Sequence, residues 1–154
     1  MDLRDLYQDI ILDHARSPRH FHSIPEPSHF AHGHNPLCGD KITVFMKIDR
    51  DRIIEVSFEG RGCAISTASA SLMTDILIGK SLDQARTMFA SFHARVTTGE
   101  TIEVAPELED DNDRLEPLTG VRTYPARVKC ATLAWHTFDA AVKAGVQGGT
   151  VKTE

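Results

Sequence analysis

Between Lys41 and Glu59 the chain alternates β-branched or aromatic residues with others over two runs, 41–48 and 53–59, parted by Asp49-Arg50-Asp51. Period-two alternation on either side of a polar turn is the pattern of a β-hairpin. The alternation stops at Gly60-Arg61-Gly62, and residues 64–78 are then rich in Ala, Ser, Leu and Met up to Gly79. A hairpin running straight into a helix confines the chain to an α+β arrangement, a small antiparallel sheet of about three strands with helices packed on one face. The junction carries Cys63, which this reading places at a helix N-terminus.

Other helices announce themselves by spacing and caps. Leu3, Leu6, Tyr7, Ile10, Ile11 and His14 share one face at helical spacing, and Ser17-Pro18 supplies a stop, so residues 2–16 are predicted as an amphipathic helix. Ser81 with Gln84 three residues later has capping-box form and opens a helix over 82–93. Pro125 suits the first turn of a last helix that continues through Trp135 to Ala144 and ends at Gly145, with Cys130 in its second turn. Residues 18–37 mix prolines and histidines without periodicity and read as a long ordered loop with one short edge strand. The acidic run Glu107–Asp111 reads as a solvated loop.

At 154 residues and 41% hydrophobic content, with no internal repeat, the chain fits one domain over 1–146. The tail 147–154, around Gly148-Gly149, is expected to fray. Seventeen basic against twenty-two acidic side chains give a formal charge of −5, which lacks the footprint of a nucleic-acid binder. The N-terminus has no apolar run of signal-peptide length, and no segment approaches the roughly 20 apolar residues that span a bilayer. A cytoplasmic protein with small-molecule or protein partners is expected.

Three cysteines are an odd count, which argues against a disulfide framework and for a reducing compartment. Each lies in a short separate segment: Asn35-Pro36-Leu37-Cys38-Gly39-Asp40, Gly60-Arg61-Gly62-Cys63 and Arg127-Val128-Lys129-Cys130. Cys63 at a helix N-terminus has the setting that favours a thiolate. Asp40, two residues beyond Cys38, adds an oxygen donor, so three sulfurs and one carboxylate could close a tetrahedron around zinc. Arg127, one helical turn before Cys130, could stabilise a thiolate or hold Asp40. The plainer alternative, three small buried hydrophobes, stays open because no Cys-x-x-Cys pair is present.

The histidines follow a different logic. His20, His22, His29, His32 and His34 lack the spacing of a helical metal pair and read as loop surface. His14 reads as a packing histidine, and His93 and His136 are set aside as ligands. Ser66, Thr67, Ser69 and Ser71 lack a nucleophile elbow and read as small residues for close helix packing. Gly79-Lys80-Ser81 follows a helix rather than a strand, so it is no phosphate loop.

Taken together, the three cysteine segments, Ala64-Ile65-Ser66 with Ala68-Ser69-Ala70-Ser71, and the first helix ending in Asp13-His14 and Ser17-Pro18-Arg19 resemble the iron–sulfur cluster assembly proteins of the NifU N-terminal/IscU type. The likeness is closest to the SufU branch, whose members carry an extra segment before the last helix, here residues 94–114. Scaffold-type members have histidine before the third cysteine, where this chain has Lys129, and a Leu-Pro-Pro-Val-Lys motif where it reads Tyr124-Pro125-Ala126-Arg127-Val128. The resemblance implies zinc held by Cys38, Asp40, Cys63 and Cys130. It also implies a sulfurtransferase that accepts persulfide from a SufS-type cysteine desulfurase, with downstream SUF scaffold proteins as further partners. Within that reading Cys38, on its Gly-flanked loop, is the expected acceptor, while Asp40 tunes metal release and Arg127 orients the thiolate or the incoming persulfide. The alternative role is a scaffold on which an iron–sulfur cluster is built on the same ligands and transferred.

Overall fold

The computed structural model describes residues 3–153. Asp2 of the predicted first helix and Glu154 of the tail lie outside them. The hairpin forms as expected: β2 (Asp40–Asp49) and β3 (Arg52–Arg61) pair antiparallel, and β1 (His29–Asn35) pairs antiparallel with β2 on its other side. Two sequence expectations need correction here. β1 is an inner strand rather than an edge strand, because Gly149–Lys152 forms β4, which pairs with it in parallel and gives the order β3-β2-β1-β4. The sheet therefore has four strands, one of them parallel, and the segment read as a fraying tail is part of it.

The helices are α1 (Leu3–Arg16), α2 (Ala64–Leu77), α3 (Leu82–Thr97), the short α4 (Glu109–Asp113) and α5 (Pro125–Ala144). Ser81 accepts from the Gln84 backbone N–H while the Gln84 side chain accepts from the Ser81 N–H, so the capping box closes as written in the sequence. The acidic run departs from its reading as plain loop. It coils into a 3₁₀ turn and α4, and Asp111 pairs with Lys80 at 2.6 Å while the neighbouring Leu108 is buried.

α5 lies along β1 and β2, and α2 packs between α1 and α5. Gly33 makes the closest approach possible. A Cβ there would run into Thr137 Oγ1 on α5 and press on Ile42 and Leu133, so the strand residue under the helix has to be glycine. The serines of α2 serve the same close packing: Ser69 and Ser71 are fully buried, and Ser69 donates to the Ala131 carbonyl of α5. Trp135 closes the core against Phe92 and Phe89.

His14 is a packing histidine, as read. Its Nδ1 lies 2.7 Å from Ser71 Oγ, and that hydroxyl also accepts from the Arg19 backbone N–H. Burial holds the His14 ring below the ordinary histidine value of 6.5, and burial does the same to His29 and His136. No helix of the described residues is long and apolar enough to cross a membrane.

Two outcomes follow from this packing. Gly33→Val should lower stability by about 1–3 kcal/mol through overpacking beneath α5, measured by urea denaturation, and an unchanged midpoint would contradict the close approach. Histidines whose folded pKa is depressed must take up protons against the fold, so their stabilisation is complete above the unfolded value and declines as pH falls below it. Urea midpoints should therefore drop between about pH 7.5 and pH 5.5, and His14→Gln should remove part of that slope.

Candidate metal centre

The geometry of the hairpin loop brings the site together. Asn35 ends β1 and stands opposite Asp40, which begins β2, so residues 36–39 form a tight loop with Cys38 near its tip. Gly39 takes a positive φ of 72° to complete the turn. β3 returns to the same end of the sheet and delivers Cys63 as the N-cap of α2, while the second turn of α5 brings Cys130 over from the helix layer.

Cys38 is exposed and Cys130 is fully buried, yet the Cys130 thiol donates to Cys38 Sγ across 3.3 Å. Donor atoms of Cys38, Asp40 and Cys130 all lie within 4.8 Å of one another. Tetrahedral zinc with metal–sulfur bonds of about 2.3 Å sets neighbouring sulfurs about 3.8 Å apart, so this donor set has the size and chemistry of a zinc-type site. Cys63 is joined differently. Its backbone N–H donates to Asp40 Oδ1 at 2.9 Å, and its sulfur caps α2 by accepting from the Ser66 N–H at 3.4 Å, outside the 4.8 Å set.

Arg127 stands exposed in the first turn of α5. The field of Cys63 first, with Cys130 and then Cys38, holds its guanidinium above the usual arginine pKa, so the cation lies within electrostatic reach of the thiols. Burial, then the contact with Cys38, pushes the Cys130 thiol well above the ordinary cysteine value.

Two residues of the site carry no obvious mark in the sequence. Asn35 is fully buried, and its amide N–H₂ donates to Asp40 Oδ2 at 3.3 Å and to Cys130 Sγ at 3.5 Å, while its carbonyl accepts from the Leu37 N–H. Ala31, Gly33 and Asn35 alternate inward along β1, a signal hidden once the segment is read as loop. Gly62 is the other. A Cβ at that position would sit 2.5 Å from Asp40 Oδ1, so a side chain there would displace the carboxylate that anchors Cys63. The histidines stay apart from the thiols: among the described residues, the metal-sized cluster contains none of them.

Asn35 touches a carboxylate and a thiol of the same set, which is the position of a group that aims ligands rather than binding metal itself. Asn35→Ala should therefore weaken zinc binding by about 10–100-fold in competition with a colorimetric chelator. Unchanged affinity would reduce Asn35 to packing.

Similarity to known proteins extends over nearly the whole length of the chain. A protein named zinc-dependent sulfurtransferase SufU from Bacillus subtilis is 38% identical over 148 residues, covering 96% of each chain. A protein named iron–sulfur cluster assembly scaffold protein IscU from Streptococcus pyogenes serotype M1 is also 38% identical, over 92% of this chain and 85% of its own. A crystal structure from Fervidobacterium islandicum AW-1, described as a candidate cluster assembly scaffold for the SUF system, superimposes with a TM-score of 0.80 at 30% identity, covering 92% of this chain and 99% of the other. The family model of the NifU-like N terminal domain matches residues 6–147, and this chain belongs to that family.

Proposed function

We propose that the protein is a zinc-dependent sulfur acceptor, taking persulfide sulfur from a SufS-type cysteine desulfurase for iron–sulfur cluster synthesis in the cytoplasm. The observation that carries this reading is the asymmetry of the thiols: Cys38 is exposed on a loop, 3.3 Å from a buried Cys130 that is fixed on a helix. One thiol is open to another protein while its neighbour is sequestered. The metal would be held by Cys38, Asp40 and Cys130, with Cys63 as the fourth donor, and when bound it would keep the thiols as thiolates at neutral pH.

The transfer itself needs only sulfur chemistry. The Cys38 thiolate attacks the outer sulfur of the desulfurase persulfide, a new S–S bond forms on Cys38, and the donor's S–S bond breaks to leave a cysteine thiolate on the desulfurase. Thiol and disulfide-level sulfur are conserved across the exchange, so no outside oxidant or reductant enters. Arg127 lies within electrostatic reach of the thiols, which suits it to hold the attacking thiolate and the incoming anionic persulfide together. Asp40 is fixed by Asn35 and by the Cys63 N–H, which suits it to tune release of the loop-borne ligand.

The rim also suits a protein partner. Leu37, beside Cys38, is 65% exposed, and Tyr124, at the start of the helix that carries Cys130, is 64% exposed, so both elements that supply these thiols also present an exposed apolar side chain. The name of the Bacillus relative supports the sulfurtransferase reading, and Lys129 in place of histidine supports it against the scaffold reading. The equal identity to the Streptococcus relative supports the second reading, a scaffold that assembles a cluster on the same ligands. Downstream SUF scaffold proteins are the natural recipients of the sulfur in the first case.

The test is persulfide loading. With desulfurase and cysteine, wild-type protein should gain one sulfur by intact mass, Cys38→Ala should gain none, and Arg127→Glu should load more slowly and bind the desulfurase more weakly. Loading of Cys38→Ala at the wild-type level would remove Cys38 as acceptor.

A further inference from the structure

We propose that the cleft between α3, the Lys129 face of α5 and the end of β4 binds a small oxyanion of the phosphate class. The cleft has a volume of about 290 Å³ and is bordered by His93 from α3, Lys129, Thr132 and His136 from α5, and Thr153 just past β4. Among the described residues, no aspartate or glutamate lines it. The nearest acid along α5, Asp139, is engaged by Lys143 at 2.8 Å.

What singles out this cleft is how many of its polar groups lack a partner. Lys129 is half-buried and, among the described residues, has neither an ion pair nor a hydrogen bond. His93 and His136 meet edge to face with ring centroids 5.6 Å apart and also rest on Phe89, but their ring nitrogens bond no described residue. Elsewhere His14, His20, His22, His29 and His32 each have a polar partner, and among the described histidines outside the cleft the ring of His34 alone has none. Thr153 Oγ1 is buried without a hydrogen bond among the described residues. A buried hydroxyl is seldom left unsatisfied, and with a half-buried ammonium and two half-buried imidazoles bordering the same cleft it marks a place for an acceptor-rich ligand.

The ligand's class follows from the donors. An ammonium beside the imidazoles repels a cation, and the histidine pair has no third metal ligand within reach among the described residues. The donors come from three elements, a spread that matches the several oxygens of a tetrahedral oxyanion better than the two coplanar oxygens of a carboxylate. The inference stands apart from the sulfur-acceptor reading, although Lys129 is the residue before Cys130 and an occupied cleft would adjoin the thiol site along α5.

Calorimetric titration of the full chain with inorganic phosphate and with pyrophosphate, against sodium acetate and sodium chloride at matched ionic strength, tests this. Saturable binding of phosphate or pyrophosphate is expected. Lys129→Gln and His136→Gln should each weaken it by about tenfold, the loss expected for one charge-assisted hydrogen bond. Thr153→Val, at the end of the chain's last strand, provides a variant with little effect on the core and should weaken binding by about threefold. Phosphate behaving like chloride, acetate binding as tightly as phosphate, or affinity surviving in both Lys129→Gln and His136→Gln would each overturn the proposal.

Discussion

The Asp40 carboxylate is the joint on which the site depends. It is fully buried, one oxygen accepts from the Cys63 N–H and the other from the Asn35 amide, and that same amide reaches Cys130. A buried carboxylate without such partners would be strongly unfavourable, so its hydrogen bonds and its position are specified together. Through it the hairpin loop, the N-terminus of α2 and the second turn of α5 are held at one end of the sheet. Those segments lie far apart in sequence, Cys38 and Cys130 being 92 positions apart. Gly62 and Gly33 are required by the same closeness, the first beneath the carboxylate and the second beneath α5.

This arrangement divides the thiols by anchoring and exposure. Cys130 is anchored on α5, where burial and its contact with Cys38 favour the protonated thiol in the metal-free state. Cys63 is tied into the first turn of α2 by its own cap. Cys38 alone is exposed, on a four-residue loop closed by a glycine with positive φ. A metal bound here would be gripped from the helix side and reached from the loop side, where Leu37 beside Cys38 is exposed. The unpartnered cluster around Lys129 occupies the next face of α5, so that helix serves two chemically different surfaces.

Much of this was legible in the chain because the physics was local. Alternation over 41–59, the Ser81–Gln84 box, Pro125 at a first turn and Gly145 at a stop each act within a few residues, and each element stands where its own sequence puts it. The parallel pairing of β4 with β1 was not legible, because Gly148-Gly149 resembles a tail and only the distant partner makes it a strand. With residues 18–37 read as a long loop holding only one short edge strand, the inward alternation of Ala31, Gly33 and Asn35 was not picked out, and Asn35 went unmarked as a site residue. The meeting of His93 and His136 was missed for the same reason, since nothing local in either helix indicates the other. The three thiol segments were visible as separate half-sites, but their distance from one another is a property of the folded sheet.

The most direct measurement is the metal content of protein purified without added metal, read together with desulfurase turnover in iron-free buffer with and without the protein. About one zinc per chain, as expected for a single closed four-donor site, with strong stimulation of turnover, is the result this account predicts. Iron with acid-labile sulfide and no stimulation would contradict it and assign the same thiols to cluster assembly.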